Sequence, residues 1–268
     1  MAVKAVTFDL WLTLIWDNKE LEEYRKLRRL INLHRFVKKV GNGNSKISYG
    51  DVQLAMEELS VRAKSLYEEG YDIGPEERAQ MLFKALRIAL PAKDKDAVLS
   101  SAGKIMSDSG YRARYPNLNP EARSTLKALK ETYPGIKIGL ISNAARSSKT
   151  YARMFRMHGI YDYFDNLTIS CEVGFLKPRR EIFDASLRAL GVKPREALHV
   201  GDLFKADVIG ATSVGMNSAL YTGLWHKYAQ YMNPGEHIPA DFKPKRDILV
   251  EEVESLKQVV DLAGQIPK

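Results

Sequence analysis

The sequence predicts an α/β protein: a parallel β-sheet covered by helices, with an all-helical segment inserted after the first strand. Two observations support this fold class. Residues 17–114 show helical periodicity without a convincing strand, and after residue 120 strand-like and helix-like segments alternate. We therefore expect a larger α/β core domain made of residues 1–15 and 116–268, and a smaller helical domain made of residues 16–115.

The first strand lies in the stretch 2–15, which reads AVKAVTFDLWLTLI. Val3, Val6 and Phe8 are typical of a strand buried on both faces. Asp9 interrupts the apolar run, and a buried carboxylate is costly unless a cation, a metal or backbone N–H groups pair with it. An acid at this end of a first strand lies where α/β folds bind ligands. Capping a helix or forming a turn would explain Asp9 equally well.

Four helices are expected in the inserted segment. Leu21, Tyr24 and Leu27 begin the apolar stripe of the first helix, and the Gly-Asn run at 41–44 ends it. Ser48 can cap the second helix, and Pro91 stops the third. The four predicted helices cover residues 18–40, 49–69, 75–90 and 93–109.

The second half of the chain alternates between the two patterns, which implies a parallel sheet with right-handed crossovers. Strands are predicted at residues 136–142, 166–170, 197–201, 217–222 and 248–250. Helices are predicted at residues 120–133, 145–158, 179–190, 205–214 and 251–263. A long loop at 224–245 carries Trp225, Tyr228, Tyr231 and Met232, which we expect to pack over the sheet edge.

Composition places the chain among ordinary globular proteins. Its 268 residues are 45% apolar and 28% charged, and no run approaches the roughly 20 apolar residues that span a bilayer. Lys4 and Asp9 interrupt the N-terminus before a signal peptide could form. The single cysteine, Cys171, suits a reducing compartment and is expected to be a small buried apolar residue. These features predict a cytoplasmic protein with no membrane partner.

The net charge of +8 could suit anionic substrates or nucleic acid. The basic residues are interspersed with acids, however, and only short clusters occur at 28–29 and 38–39. A solvated, charge-rich surface explains this pattern better than a nucleic-acid partner does.

Polar residues mark the ends of three predicted strands. Asp9 ends the first, Ser142 ends the second, and Asp202 follows a later one, with Asp207 five residues on. These ends share one edge of a parallel sheet, so the side chains can converge on one crevice. Lys177, which precedes a helix, could reach the same place. Carboxylates, a hydroxyl and a lysine describe a site for Mg²⁺ and a phosphoryl group.

Each of these residues also has a purely structural explanation. Ser142 could cap the helix that follows its own strand, and Asp202 could cap the helix that begins shortly after residue 202. Lys177 could be a solvated turn residue, and His199 is expected to be a core histidine with satisfied hydrogen bonds. The order and position of the whole set argue for a functional site.

This order of motifs, from Val3 to Thr222, resembles the haloacid dehalogenase-like (HAD-like) hydrolase superfamily. The resemblance implies a Rossmann-like parallel sheet core with an inserted all-helical cap domain. It also implies a Mg²⁺-dependent phosphatase that acts on a small phosphorylated metabolite.

The resemblance assigns roles to residues near the first two strand ends. Asp9 would be the nucleophile that forms an aspartyl-phosphate, and the backbone carbonyl of Trp11 would bind Mg²⁺. Thr13 would brace the loop. Ser142 would hydrogen-bond a phosphoryl oxygen, helped by the backbone of Asn143.

The remaining roles concern charge. Lys177 would neutralise charge between the nucleophile and the phosphoryl group, Asp202 would ligate Mg²⁺, and Asp207 would support the metal site from nearby. The chemistry is coherent, because a carboxylate approaches a dianionic phosphate only when cations lower the repulsion.

Trp11 departs from the phosphatase pattern. Phosphatases of this superfamily usually have a second Asp at that position, serving as general acid and base, and Trp has no titratable proton. Dehalogenases also have an aromatic residue there but usually lack the metal-binding Asp that Asp202 supplies. Three functions therefore stay open: a slow or selective phosphatase, a metal-free dehalogenase-type hydrolase that attacks carbon, or a low-turnover protein that binds Mg²⁺ and phosphorylated ligands.

Overall fold

A computed structural model describes residues 3–41, 46–108, 115–224, 237–245 and 247–266. None of the helices among these residues combines the length and apolar character needed to cross a membrane. The tip of the predicted 224–245 loop, with Trp225, Tyr228, Tyr231 and Met232, lies outside the described residues.

A six-stranded parallel sheet forms the core, which confirms the predicted α/β fold class. Its strands are β1 (Ala5–Phe8), β4 (Lys137–Ser142), β5 (Asn166–Ile169), β6 (Ala197–Gly201), β7 (Asn217–Tyr221) and β8 (Val250–Val253). Their spatial order is β5-β4-β1-β6-β7-β8. The central strand β1 pairs with β4 on one side and β6 on the other, so residues at the ends of all three lie side by side.

Helices cover both faces of the sheet. On one face, α5 (Ala122–Thr132), α6 (Ser148–Met157) and α10 (Gln258–Gly264) pack over the largest hydrophobic cluster. On the other face lie α8 (Arg180–Leu190) and α9 (Gly210–Val214), around Ile182 and Phe183. A one-turn helix, α7 (Ser170–Val173), follows β5 directly. Burial on both sides explains why the strands are apolar throughout.

Four helices lie between β1 and β4: α1 (Lys19–Val40), α2 (Tyr49–Glu68), α3 (Pro75–Ala85) and α4 (Lys95–Asp108). We call them the helical insert. Their cluster around Leu33, Leu59 and Phe83 is separate from the two clusters on the sheet. Two short antiparallel strands, β2 (Ile15–Trp16) and β3 (Asn117–Leu118), join the insert to the sheet. The proposed domain boundaries at residues 15 and 116 stay a prediction.

Local signals explain the helix ends. Ser48 and Asp51 form a reciprocal capping box at the start of α2, with the Asp51 N–H donating to Ser48 Oγ at 3.1 Å. Asn18 caps α1 by accepting from the N–H of Leu21 at 2.8 Å. Pro75 occupies the first position of α3, where its missing N–H costs nothing.

The end of the chain corrects two predicted elements. The last strand is Val250–Val253 and not 248–250, and the last helix is Gln258–Gly264 and not 251–263. Glu251 and Glu252 favour a helix in isolation, but parallel pairing with β7 places them in a strand. The helix predicted at 205–214 is a π-helical turn, Phe204–Ile209, that continues into α9.

Candidate active site

Three neighbouring strands end at one edge of the sheet, and each carries a polar side chain there. Asp9 follows β1, Ser142 ends β4 and Asp202 follows β6. The Asp9 N–H donates to the carbonyl of Val200 at 2.7 Å, which extends the pairing of β1 with β6 to this residue. All three polar side chains are buried, so the predicted convergence at the sheet edge is present in the structure.

Lys177 joins two carboxylates at this edge. Its Nζ donates to Asp9 Oδ1 at 2.6 Å and to Asp207 Oδ1 at 2.5 Å. The side chain of Lys177 is 2% exposed, so water cannot replace either partner. The alternative that Lys177 is a solvated turn residue is wrong.

Asp207 is held on both of its carboxylate oxygens. Oδ2 accepts from the N–H of Leu203 at 2.9 Å, and Oδ1 accepts from Lys177 and, at 2.9 Å, from His199 Nε2. The other ring nitrogen of His199 lies 2.9 Å from Thr7 Oγ1. His199 is therefore a buried histidine with satisfied hydrogen bonds, as expected, and Asp207 is positioned to hold Lys177. Direct support of a metal by Asp207 stays a prediction.

The charges in this network are unequal. Burial raises the pKa of Asp9 to about 6, although Lys177 opposes the rise, and the charge of Asp207 adds to it. Burial alone would lower the pKa of Lys177, but Asp207 and Asp9 raise it above its usual range. Burial would also raise the pKa of Asp207, yet Lys177 and His199 hold it below its usual range. Of the two carboxylates that contact Lys177, Asp9 is therefore the one whose ionised form is less stabilised by its surroundings.

The protonation state of His199 follows from its surroundings. Burial lowers its pKa, which favours the neutral ring. An ionised Asp207 can only accept, so Nε2–H donates to it, and Nδ1 accepts from the hydroxyl of Thr7. A neutral His199 adds no positive charge to the site.

Gly201 makes room for this arrangement. A Cβ atom at Gly201 would lie 2.1 Å from Cγ of Asp207, far inside van der Waals contact. Only glycine therefore lets β6 end directly beside Asp207.

The side chains of Ser142 and Asn143 differ in their hydrogen bonding. The Ser142 side chain is buried, and its Oγ has no hydrogen-bond partner among the described residues. Asn143 uses its side chain to clamp the backbone of Lys177: Oδ1 accepts from the Lys177 N–H at 2.7 Å, and Nδ2 donates to the Lys177 carbonyl at 3.0 Å. The free hydroxyl suits an incoming oxyanion, whereas the predicted role of the Asn143 backbone remains untested.

The loop after Asp9 is tightly folded. Leu12 has a φ of 59°, a conformation that costs a non-glycine residue about 1–2 kcal/mol. The hydroxyl of Thr13 has no hydrogen-bond partner in the described part of the chain, and its role in bracing the loop stays a prediction. Asn119 holds the backbone of this loop, because its Nδ2 donates to the Thr13 carbonyl at 2.8 Å. Trp11 is half-buried against the core, which fits a packing role.

The carboxylates at this edge are oxygen ligands of the kind that Mg²⁺ prefers. Within the described ranges, no group of three or more His, Cys, Asp or Glu side chains is arranged to hold a metal. Magnesium, however, usually takes one or two carboxylates together with water and substrate oxygens. Asp9 and Asp202 supply such oxygens at one buried edge, and burial raises the pKa of Asp9 even though Lys177 contacts it. The donor set therefore fits the ion.

A cleft of about 1320 Å³ separates the helical insert from the sheet domain. Helices α1 and α4 line one side, and the start of α6 lines the other, beginning at Ser147, four residues after Asn143. Among the described residues that line it are two glutamates, Glu76 and Glu172, and six basic residues. The basic residues are Arg28, Arg35, Lys39, Lys104, Lys149 and Arg153. The cleft is therefore suited to an anion.

Comparisons with known proteins agree with this architecture. A family model described as haloacid dehalogenase-like hydrolase matches residues 3–215. A glyceraldehyde 3-phosphate phosphatase from Methanopyrus kandleri is 30% identical over 216 residues, which make up 80% of this chain and 82% of that protein. One from Methanothermobacter thermautotrophicus is 41% identical over 101 residues, which make up 38% of this chain but span only 43% of that protein.

A solved structure shows the same fold. A 2-haloacid dehalogenase from Pseudomonas syringae superposes with a TM-score of 0.66 at 21% identity, covering 98% of this chain and 99% of that one. The matched family model and the phosphatase relatives show that the chain is a hydrolase. The chain belongs to the haloacid dehalogenase-like hydrolase family, which confirms the family indicated by its sequence motifs.

The sequence analysis did not identify two residues that support the site, Thr7 and Asn119, or the hydrogen bond between His199 and Asp207. Thr7 and His199 face each other in the register of β1 and β6. Both interrupt apolar strands, and a polar side chain in a buried strand requires a partner. Their position in buried strands indicates that each has a hydrogen-bond partner, but it does not identify that partner.

Proposed function

We propose that this protein is a Mg²⁺-dependent phosphohydrolase that acts on a small phosphate ester through an aspartyl-phosphate on Asp9. The observation that carries the proposal is the buried Lys177 ammonium, which contacts Asp9 at 2.6 Å on the same sheet edge as the free hydroxyl of Ser142. Nucleophile, cation and oxyanion donor are the parts that phosphoryl transfer needs.

Two further observations support a phosphate ester as substrate. Two relatives are named glyceraldehyde 3-phosphate phosphatase, and one of them aligns with 80% of this chain. The basic cleft reaches Ser147 and Cys171, near the ends of β4 and β5, although none of the proposed catalytic residues is among its described lining. Its positive charge would attract an anionic substrate and raise its local concentration.

In the proposed first step, a carboxylate oxygen of Asp9 forms a bond to phosphorus while the bond from phosphorus to the ester oxygen breaks. The electron pair of that bond leaves with the ester oxygen, which must gain a proton to depart as an alcohol. Water then attacks the acyl phosphate and releases inorganic phosphate and the free Asp9.

Residues of this chain supply most of the charge control. Lys177 reduces repulsion between Asp9 and the phosphoryl group, and Asp207 keeps the ammonium in place at 2.5 Å. Ser142 donates its hydroxyl to a phosphoryl oxygen. Mg²⁺, bound by Asp9, Asp202 and the carbonyl of Trp11, would neutralise further negative charge on the phosphoryl oxygens.

Trp11 makes the proposed enzyme slow or selective. A general acid typically contributes about 10²–10⁴-fold to a rate, and the indole cannot donate a proton to the leaving group. Esters with good leaving groups should therefore react faster than simple alkyl phosphates.

The deciding experiment is a panel of phosphate esters assayed with and without Mg²⁺, together with 2-chloropropionate. We expect phosphate release that requires Mg²⁺ and no chloride release. Chloride release without metal would favour the dehalogenase alternative, and binding of phosphate esters without turnover of any would favour a ligand-binding protein.

A second test addresses the metal. Calorimetric titration should show Mg²⁺ binding to the native protein and severe weakening in Asp202→Ala. Asp261→Ala, an exposed aspartate on α10, serves as the matched control and should bind normally. Unchanged affinity in Asp202→Ala would remove the metal assignment.

A further inference from the structure

The helical insert contacts the sheet domain through the segment between α2 and α3. The N–H of Asp72 donates to the carbonyl of Gly174 at 3.1 Å, and the N–H of Leu176 donates to the carbonyl of Gly70 at 3.0 Å. The two segments thus pair as a short piece of antiparallel sheet between insert and core.

The side chain of Asp72 continues this contact into the core. It is fully buried, and Oδ1 accepts from Arg78 Nη2 at 2.6 Å and from the N–H of Ile73 at 2.8 Å, both within the insert. Oδ2 accepts from the hydroxyl of Ser170 at 2.5 Å, which belongs to the sheet domain. One carboxylate therefore bonds to both parts of the molecule.

Ser170 is also hydrogen-bonded to the loop that follows Ser142 at the end of β4. Ser170 Oγ accepts from the N–H of Ala144 at 2.8 Å, two residues after Ser142. Ser170 itself is fully buried at the end of β5, beside β4. The position of the insert is thus connected, through two hydrogen bonds, to the loop with the oxyanion-binding hydroxyl.

Arg179 adds a more exposed contact between the same segments. Its guanidinium lies over the rings of Tyr71, at 4.6 Å, and Phe175, at 5.1 Å, and donates to the carbonyl of Glu69 at 3.2 Å. This contact does not involve Ser170, so the insert keeps part of its attachment when the hydroxyl of Ser170 is removed.

We propose that the Asp72–Ser170 hydrogen bond is a latch that holds the helical insert closed on the sheet edge and positions the 142–144 loop for turnover. Asp72 and Ser170 are positioning residues, since they act through Ala144 and do not touch the reacting atoms. The effect on turnover rests on the proposed function, whereas the latch itself does not.

The chain contains its own reporter for opening of the latch. Cys171 is the single cysteine, it follows Ser170 directly, and it lines the cleft between insert and core. It is 5% exposed, and burial, with the charges of Asp72 and Glu172, raises its pKa to about 12. Cys171 packs in the hydrophobic cluster of the sheet domain on one side and borders the cleft on the other, where Gly74 of the insert lies over its carbonyl. A maleimide at neutral pH should therefore react with Cys171 faster when the insert moves away.

The test variant is Ser170→Ala, and the matched control is Ser186→Ala. Both serines are fully buried in the sheet domain, but Ser186 Oγ has no hydrogen-bond partner among the described residues. Ser170→Ala leaves the Asp72–Arg78 pair intact within the insert. We expect maleimide labelling of Cys171 to accelerate at least about 10-fold in Ser170→Ala, because hydrogen bonds to charged groups are the stronger ones, and to stay within 2-fold of native in Ser186→Ala.

Low concentrations of urea distinguish latch opening from general unfolding. Opening of the insert exposes only its contact with the sheet domain, so the labelling rate of Ser170→Ala should rise with urea less steeply than global unfolding does. An equal labelling rate in Ser170→Ala and native protein, or acceleration that rises with urea as steeply as global unfolding, would overturn the latch.

Turnover tests the positioning role separately. With a phosphate ester that the native enzyme hydrolyses, kcat/KM should fall about 10-fold in Ser170→Ala at equal folded fraction, since small misplacements of catalytic groups are costly, and stay near native in Ser186→Ala. Faster labelling with unchanged kcat/KM would overturn the positioning role. Faster labelling in a protein that hydrolyses no ester would support the latch and count against the proposed function.

Discussion

The sheet edge that carries the candidate site and the helical insert differ in how their charged side chains are paired. At the edge, Lys177, Asp9 and Asp207 are buried and bonded to one another across at least 30 residues of sequence. In the insert, most ion pairs lie within one helix and face water, such as Lys26–Glu22. Two pairs are buried exceptions among the described residues: Asp72 with Arg78, at the contact with the sheet domain, and Asp17 with Arg25.

Because of this difference, removing a charged side chain should lower the unfolding free energy by different amounts in the two regions. An exposed pair is worth about 0–1 kcal/mol, because water screens it. Removing one partner of a buried pair costs about 3–5 kcal/mol, because a buried charge is left uncompensated. Removing a charged side chain at the edge should therefore cost several times more unfolding free energy than removing an exposed charge from the insert.

The largest expected effect comes from Asp9→Asn at the edge. Loss of the nucleophile should reduce turnover by about 10³-fold or more, because the remaining groups can only bind and polarise the ester. Steady-state assays on a sample checked by mass spectrometry for deamidation measure this. Native protein should also be inhibited by beryllium fluoride with Mg²⁺, and near-native turnover in a verified Asp9→Asn sample would refute the covalent mechanism.

Trp11→Asp tests the missing acid. The new carboxyl should raise the turnover of alkyl phosphates toward the roughly 10²–10⁴-fold that a general acid supplies, and change the turnover of nitrophenyl phosphate far less. The ratio of the two rates is the measurement. Because the indole packs against the core, melting and Mg²⁺ binding must be checked first. No gain on any alkyl phosphate in a folded, Mg²⁺-binding variant would mean that the missing acid does not limit the rate.

One substitution made in both regions sharpens the comparison. Gly201→Ala forces a Cβ into Asp207, so we expect a loss of about 3 kcal/mol in unfolding free energy together with loss of turnover. Gly50→Ala on the exposed start of α2 meets only Ser48 Oγ, at 3.6 Å, and should stabilise by about 0.5–1 kcal/mol. Urea unfolding measures both, and equal effects at the two positions would contradict the contrast.

The smallest effects should come from the basic cleft. Arg35→Gln and Arg153→Gln each remove one exposed positive charge from the cleft, so KM for a phosphate ester should rise about 2–5-fold with little change in kcat. The increase should shrink at high salt, where exposed charges are screened. Arg188→Gln, an exposed arginine on α8, is the control. A salt-independent effect, or an equal one in the control, would argue against anion binding in the cleft.

Particular elements show how much of the fold the sequence predicts. The fold class and the helices of the insert follow from hydrophobic periodicity, because local patterning is strong in long segments. Residues 251–253 were predicted as helix but form β8, since pairing with β7 outweighs the local preference of Glu251 and Glu252. The helix at 205–214 begins with a π-helical turn that carries Asp207, which local propensity does not indicate.

The sequence by itself determined that Asp9, Ser142 and Asp202 share one edge, because the C-terminal ends of parallel strands necessarily lie together. Only the tertiary structure decided that Lys177 bridges Asp9 and Asp207. Contacts of this kind join residues far apart in the chain, and the register and packing of whole elements set their distances. The periodicity of the sequence carries no information about those distances. Packing decides how deeply each charged side chain is buried, and therefore which of them needs an oppositely charged partner.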